Sequence, residues 1–240
     1  MRIELLGTGA LVSKSFSACA LIDDTILFDC PNGLVRVLRQ KDIDFSRIKT
    51  IIISHYHADH DWDLPFLFWE YSRVKRQEPL KIIAPKGFME RFKPICDMLW
   101  TDMFSLDTVM QNVNLKIIET ADKKVFDLDG YKITAYKVEH SNCDAYGYRI
   151  QKGEKVIAMT GDATMCDSVN ELVKNANLAF VDVTTISNGK PVHFDMPDFE
   201  ILKSNHKSVK ILPIHMSQDA FNTLKERGHN PPSDNDVFEV

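Results

Sequence analysis

The sequence predicts an α+β fold in which two β-sheets pack face to face with helices on their outer sides, a four-layer αβ/βα sandwich. Strand-like segments dominate both ends of the 240-residue chain, and helical segments are interspersed among them. No linker, low-complexity segment or internal repeat divides the sequence. We therefore expect residues 1–240 to form a single domain.

Short apolar runs rich in β-branched residues and bounded by turn residues predict the strands. The run KTIIIS at 49–54 is typical of a strand buried on both faces. Asp23–Asp24 lies between two such runs and predicts a hairpin-like turn. The predicted strands are 2–7, 18–23, 25–30, 49–54, 80–85, 114–120, 124–130, 131–140, 145–151, 155–162, 177–184 and 208–215.

Apolar residues spaced three and four apart predict the helices. Pro65 favours the first turn of one helix, Pro94 is expected to disturb another, and Gly228 to end the last. The predicted helices are 32–43, 63–77, 87–100, 166–176, 196–205 and 217–228.

Composition and charge disfavour several classes of protein. The formal net charge is −5 and the pI is near 5.9, whereas a dedicated nucleic-acid binder usually carries a basic surplus. Five cysteines without a CxxC pair fit a reducing compartment better than a disulfide framework. The start MRIELLGTG has no apolar signal-peptide core, and no run approaches the ~20 apolar residues that span a bilayer. We expect a cytoplasmic protein with no membrane interaction.

The segment SHYHADHD, residues 54–61, carries four metal-ligand side chains directly after a predicted strand: His55, His57, Asp59 and His60. Asp and His are poor strand formers, and three of the eight histidines of the chain fall here. A turn leaving a strand can direct His55 and His57 to one point and Asp59 and His60 to a second. The separation of two-metal sites is about 3.5–4 Å.

Three further ligand types end other predicted strands. His140 ends the strand 131–140, Asp162 follows KVIAMTG, and His215 follows KILPI. A single histidine at a strand end is usually an ordinary loop residue. Because four strand ends carry ligand types, we interpret them together as one metal centre.

These motifs resemble a known family. HYHADH matches the HxHxDH signature of the metallo-β-lactamase superfamily, and His140, Asp162 in TGDA and His215 in PIHMS continue the match in order. LLGTGA, LFDCPNGLVRVL and HSNCDAYGYRI resemble segments of its ribonuclease Z-like branch. The resemblance covers Leu5 to His215 and implies a metallo-β-lactamase-like fold with two mixed sheets.

The resemblance also implies two divalent metal ions. Imidazole and carboxylate ligands without thiolate suit zinc, with manganese or iron as alternatives. Two such ions lower the pKa of a bridging water toward ~7 and stabilise developing charge on a phosphoryl or acyl oxygen. Asp59 is therefore taken as catalytic as well as ligating. The implied ligands are His55, His57 and His140 for one ion, Asp59, His60 and His215 for the other, and Asp162 bridging them.

A second pair of residues resembles the leaving-group machinery of the ribonuclease Z-like branch. FVDVT, 180–184, stands where that branch has a Glu in an E-A-T segment, and KPVHFDMPD carries a histidine ahead of a helix. The resemblance implies that Asp182 orients His193, which acts as general acid or phosphate binder. The alternative is a strand-end aspartate and a helix-entry histidine without a catalytic role.

Two departures from the family bear on the substrate. Asp63 stands where HxHxDHxxG has glycine, and we expect its side chain to narrow the site or add a carboxylate. His140 and Asp162 are 22 residues apart, which leaves room for two strands and a turn. This interval is too short for the arm with which tRNA-processing members of the family bind tRNA. We therefore expect no tRNA partner.

The leading hypothesis is a dinuclear-metal hydrolase that acts on a small, cyclic or nucleotide phosphodiester. The second hypothesis is an acyl hydrolase, a lactonase or thioesterase, whose acyl chain contacts the apolar segment 96–110. With 64–71, that segment forms either a lid over the metals or ordinary core. Two less favoured hypotheses are tRNA 3′-end processing and a non-catalytic metal-binding module. A homodimer is common in the branch and is a possible state here.

Overall fold

The computed structural model describes residues 1–73, 78–99, 105–187 and 192–240. The first of its two sheets has, among these residues, the strand order β13–β1–β2–β3–β4–β5–β6. It is mixed, because β3 to β6 run parallel and the remaining pairs antiparallel. Its strands are β1 (Arg2–Gly7), β2 (Cys19–Ile22), β3 (Ile26–Phe28), β4 (Thr50–Ile52), β5 (Leu80–Ala84), β6 (Leu115–Glu119) and β13 (Val237–Glu239).

The second sheet is mixed in the same way, with the order β12–β11–β10–β9–β8–β7 among the described residues. Strands β10, β11 and β12 are parallel, and β7 to β10 form an antiparallel series. Its strands are β7 (Val125–Leu128), β8 (Tyr131–Val138), β9 (Ala145–Lys152), β10 (Lys155–Met159), β11 (Leu178–Asp182) and β12 (Lys210–Ile214).

The helices cover the outer faces of both sheets. A 3₁₀ turn, Phe45–Arg47, precedes β4. The helices are α1 (Leu34–Gln40), α2 (Ala58–Asp61), α3 (Leu64–Arg73), α4 (Phe88–Leu99), α5 (Leu106–Val113), α6 (Asp167–Val173), α7 (Met196–Asn205) and α8 (Gln218–Glu226).

Three apolar clusters fill the spaces between the four layers of the fold. The central cluster lies between the sheets, where Phe28 of the first sheet meets Tyr148 of the second edge to face at 6.0 Å. The second packs α1, α3, α4 and α5 on the outer face of the first sheet. The third packs α6, α7 and α8 on the outer face of the second. The αβ/βα sandwich predicted from the sequence is thus confirmed.

Most predicted elements are present with shorter ends. All the predicted strands form, and the predicted helix 196–205 coincides with α7. The hairpin turn is confirmed, since Asp23 and Asp24 have φ values of 46° and 56°, the left-handed region that tight hairpins use. Residues 74–77 and 100, the ends of two predicted helices, lie outside the described residues.

Helix α4 corrects one expectation, because it runs through Pro94 without a break. A proline removes one helical hydrogen bond. The buried face of α4, formed by Phe88, Phe92 and Cys96, packs on the core. That burial offsets the lost bond.

Helix α5 was not expected. The Ser105 side chain caps it by accepting a hydrogen bond from the Thr108 amide, and Leu106, Val109 and Val113 are buried. The buried residues of the segment 96–110 that the structure describes thus belong to the core, as one of its two interpretations held, whereas Met98 and Leu99 are exposed. Residues 100–104 lie outside the described residues. Strand β13 was also missed; it pairs with β1.

Candidate metal centre

The predicted ligands lie where strands of both sheets end. His55 follows β4, and the helical turn α2 begins three residues later and carries Asp59 and His60. His140 follows β8, Asp162 follows β10 and His215 follows β12. The carboxyl ends of β4 and of the parallel strands β10 and β12 face the same edge of the sandwich. Residues distant in sequence therefore meet there.

A close approach of two loops brings the sheets together at this edge. Gly161, directly before Asp162, has φ 60°, and a Cβ built on it would lie 2.8 Å from the Cβ of Ser54. Tyr146 in β9 donates its amide hydrogen to the Ser54 carbonyl. Only glycine fits both the conformation and the space. The second sheet thus holds Asp162 against the segment that carries His55.

The structure brings all seven predicted ligands together in two neighbouring sets. Within each set the candidate ligand atoms lie within 4.8 Å of one another. Asp162 contacts both sets, since its Oδ2 is 3.8 Å from His55 Nε2 and its Oδ1 is 3.3 Å from His60 Nε2. The sets are His55, His57, His140 and Asp162, and Asp59, His60 and His215.

Unpartnered buried atoms indicate that this cluster suits cations. Among the described residues, the buried side-chain atoms without a hydrogen-bond partner include His55 Nε2, His60 Nε2 and Asp162 Oδ1. His57 Nδ1 and His140 Nε2 also face each other at 3.2 Å. Buried polar atoms are normally satisfied. A divalent cation in each set would supply the missing partner, because it accepts lone pairs from imidazole nitrogen and carboxylate oxygen.

Neighbouring groups orient four of the imidazoles with Nε2 toward the cluster. His60 Nδ1 donates to Asp29 at 2.8 Å and His140 Nδ1 donates to the Val192 carbonyl at 2.6 Å. His55 and His215 have Nδ1 against hydroxyl oxygens, those of Ser54 at 3.0 Å and Thr184 at 2.8 Å. Hydrogen bonds of this kind set the tautomer of metal-binding histidines.

Two of these orienting residues were not singled out from the sequence. Asp29 is buried and accepts three hydrogen bonds, from the Ser54 amide, the Ser54 hydroxyl and His60 Nδ1. Thr184 donates to Asp182 at 2.6 Å while contacting His215. The signals were present, because an aspartate ends the strand in LFDC and a threonine follows the strand in FVDVT.

Burial and charge act on the pKa values of the cluster. Burial lowers the pKa of His55 well below its usual range, so this imidazole is neutral. Burial also acts to lower the pKa of His215, but the nearby Asp162 carboxylate raises it to about 10. A proton on His215 thus compensates for the carboxylates in the protein without metal. A bound cation would replace that proton.

Asp182 and His193 form a hydrogen-bonded pair beside the cluster. His193 Nδ1 donates to Asp182 Oδ2 at 2.7 Å, and Asp182 is fully buried. Burial would lower the pKa of His193, but the hydrogen bond to Asp182 raises it. Asp182 and His193 also form a possible ligand group with Asp162 and His215. Since Asp182 and His193 already satisfy each other, they need no cation.

The cluster opens into a cavity of about 430 Å³, which we call the site cavity. His193 lies at its edge with its side chain 19% exposed. The polar residues that line it are His57, Asp59, Asp162, Thr184, His193 and His215.

Asp63 does not line the site cavity, contrary to expectation. Its carboxylate accepts a hydrogen bond from the Val35 amide at the start of α1. Burial still raises the pKa of Asp63. Helix amides lack partners in the first turn, so this side chain caps α1. It lines a separate cavity of about 510 Å³ between α1 and α3.

Comparison with known proteins now identifies the family. The family model described as Anti-Pycsar protein Apyc1 matches residues 1–230. The chain belongs to the Apyc1 family. It is also similar to ribonuclease Z from Picrophilus torridus, with 33% identity over 159 residues, 64% of this chain and 48% of that protein. The chain thus spans about half the length of this curated relative.

Solved structures confirm the fold of this Apyc1 family member. The metallo-β-lactamase fold protein YhfI from Bacillus subtilis aligns over 100% of this chain and 98% of its own, with a TM-score of 0.80 and 17% identity. The short form of human tRNase Z, ELAC1, aligns over 100% and 99%, with a TM-score of 0.77 and 20% identity. The predicted metallo-β-lactamase-like fold is thus confirmed, and the predicted likeness of this chain to ribonuclease Z is confirmed by the sequence match above.

Proposed function

We propose that this protein is a dinuclear-metal phosphodiesterase that hydrolyses small, cyclic or nucleotide phosphodiesters. One observation carries the proposal. Seven histidine and aspartate side chains converge in two sets around Asp162, and three of their buried ligand atoms make no hydrogen bond. The name of the relative from Picrophilus torridus, ribonuclease Z, supports a phosphodiester as the bond that is broken.

The residues proposed to hold the metals offer imidazole nitrogen and carboxylate oxygen. This donor set favours zinc, with manganese or iron as alternatives. Bound divalent cations supply a nucleophile at neutral pH and stabilise charge on phosphoryl oxygens. The nearby Cys143 is half-buried, and its thiol donates to the His140 carbonyl. It belongs to neither ligand set.

His193 is proposed to deliver a proton to the leaving oxygen. Asp182 accepts the Nδ1 hydrogen, so Nε2 is the atom that is free to donate. Because Asp182 raises the pKa of His193 against the effect of burial, a larger fraction of this imidazole is protonated at neutral pH. A general acid is most effective when its pKa lies near the working pH.

The size of the site favours a small substrate over tRNA. The site cavity of about 430 Å³ falls in the range of small-molecule sites. Between His140 and Asp162 the chain forms β9 and β10, an antiparallel hairpin, which leaves no segment for a tRNA-gripping arm. The net charge of −5 also disfavours extended phosphate contacts.

The described part of the segment 96–110 does not support the acyl-hydrolase alternative. The described residues of the segment 96–110 that are buried, among them Cys96, Leu106 and Val109, pack in the core under α3 and α4. They do not line the site cavity. Lactones and thioesters therefore serve as comparison substrates.

Hydrolysis by the manganese- or zinc-loaded protein tests the proposal. We expect turnover of bis(p-nitrophenyl) phosphate, and a loss of at least about 100-fold in Asp59→Ala. His140→Ala should bind less metal by mass spectrometry, whereas the matched variant His206→Ala, outside both sets, should resemble the wild type. Turnover of lactones or thioesters without phosphodiester cleavage would contradict the substrate class. Unchanged hydrolysis in Asp59→Ala would contradict the metal mechanism.

A further inference from the structure

The loop after β1 has its base fixed by hydrogen bonds beside the cluster of proposed metal ligands. Asp234, near the C-terminus, accepts hydrogen bonds from the amide and hydroxyl of Thr8 and from the Phe16 amide, at 2.8–2.9 Å. The Ala10 amide donates to the carbonyl of Met216, the residue after His215. The start of the loop, 10–16, is thus tied to backbone next to His215, and its end is tied to the Asp234 side chain.

The loop is also tightly folded on itself. The Gly9 amide donates to the Phe16 carbonyl, and the Ala18 amide donates to the Gly9 carbonyl. A Cβ at Gly9 would lie 2.6 Å from the Cβ of Ser13. These contacts leave the loop little freedom to fold its tip away from the site.

The tip of this loop exposes two apolar side chains. Leu11 is 70% exposed and Val12 is 76% exposed, the highest values among the large apolar residues that the structure describes. Single exposed apolar residues are common. Here two adjacent ones line the same site cavity as His57, Asp59 and His193. We call this pair the apolar wall.

We propose that the apolar wall, Leu11 and Val12, binds the organic group of the substrate and determines specificity. This inference rests on the proposed function, which makes the site cavity the place where the phosphate binds. The occupant is a phosphate ester whose organic group is a ring, aromatic or nucleobase-like.

The chemistry of the cavity supports this occupant. Part of the lining is polar and carries proposed metal ligands, which suits the phosphate anion. Another part is leucine and valine, whose side chains donate and accept no hydrogen bonds and gain only from removal of apolar surface from water. A substrate with both an anionic phosphate and an apolar ring face matches both parts of the lining, whereas a small alkyl ester covers little of the apolar wall.

Binding of two product-like anions tests the inference without relying on turnover. Calorimetry on the manganese-loaded protein would give Kd for phenyl phosphate and for methyl phosphate, in the wild type and in the double variant Leu11→Ser, Val12→Ser. We expect Kd for phenyl phosphate to rise about tenfold in the double variant, because the ring then buries less apolar surface. Kd for methyl phosphate should stay within about twofold, because the phosphate contacts are intact.

Ile201→Ser is the matched control. Ile201 is an exposed apolar residue, 51% exposed, on α7, and it does not line the site cavity. We expect this variant to bind both anions as the wild type does. An unchanged Kd for phenyl phosphate in the double variant, or an equal loss for both anions, overturns the inference while the proposed function stands. If the metal-loaded wild type binds neither anion, the proposed function fails and the inference fails with it.

Discussion

At the residue scale, Asp29 orients one of the proposed metal ligands without being a ligand itself. It holds His60 by one hydrogen bond and the segment before His55 by two, through Ser54. Loss of such a partner typically weakens metal affinity about 10–100-fold. We therefore predict that Asp29→Asn lowers metal affinity within that range, because an amide offers only one acceptor oxygen. Chelator competition would measure it.

The control for this variant is Asp129→Asn. Asp129 lies at a turn and pairs with Lys81 at 2.8 Å, far in the fold from the ligand strand ends. We expect its metal affinity to equal that of the wild type. If Asp29→Asn also retained wild-type affinity, the orienting role of Asp29 would be wrong.

We expect His193 to affect the rate of the chemical step and not the affinity for the metal ions. We predict that His193→Gln lowers kcat about 10²–10⁴-fold, since a general acid supplies that much, while the metal content stays at the wild-type value. His229→Ala is the matched variant, because His229 pairs with Glu200 on α7. A rise in KM with unchanged kcat would instead assign His193 to phosphate binding alone.

The site could be predicted in part because its ligands are unusual residue types for their positions. Histidines and aspartates directly after apolar strands stand out in the sequence, as His55, Asp162 and His215 do. Asp29 and Thr184 follow strands too, but aspartate and threonine are common in turns. Their roles depend on side chains from other strands, and no spacing in the sequence reports those contacts.

At the element scale, prediction succeeded where local pattern decides the structure. Continuous apolar runs specified the strands, and Pro197 in the first turn indicated the start of α7, which Asp195 caps in the structure. Prediction from the sequence failed where tertiary contacts decide the local structure. Pro94 remains inside α4 because of core packing, and β13 exists because its three residues pair with β1.

Helix α4 stabilises the short helix α2 that carries two proposed ligands. Arg91 of α4 donates to both carboxylate oxygens of Asp61, at 2.6 and 3.1 Å, and Asp61 is fully buried. Removing one partner of a buried ion pair costs about 3–5 kcal/mol. We predict that Arg91→Met lowers the free energy of unfolding by roughly that amount, and that adding Asp61→Asn restores part of it.

The pH dependence of Arg91→Met follows from the same carboxyl group. Burial raises the pKa of Asp61 to about 6, even with Arg91 beside it, and loss of Arg91 raises it further. A raised folded-state pKa gives stability that is present below the unfolded pKa of ~4 and lost as pH rises through the folded value. Denaturant unfolding between pH 4 and 8 should therefore show a growing deficit against the wild type. A deficit independent of pH would contradict this assignment.

At the scale of the whole molecule, the proposed metal ligands join the two sheets. His55, His57, Asp59 and His60 follow β4 of the first sheet, and the other three follow strands of the second. The two-sheet architecture was itself predictable, because strand runs occur at both ends of the chain. That the ligands divide between the sheets was not, since strand order is not visible in the spacing of motifs.

Metal removal should therefore destabilise the fold and not only inactivate it. A cation that binds the folded state alone at 1,000 times its Kd adds about 4 kcal/mol, and a chain of this size gains about 2–4 °C in Tm per kcal/mol. We predict that chelation lowers Tm by roughly 10 °C and that manganese or zinc restores it. In Asp162→Ala, which removes the carboxylate that lies close to His55 of one set and His60 of the other, added metal should raise Tm far less. A metal-free protein with wild-type Tm would show that the sheets do not depend on the cations, and the ligand roles would then need revision.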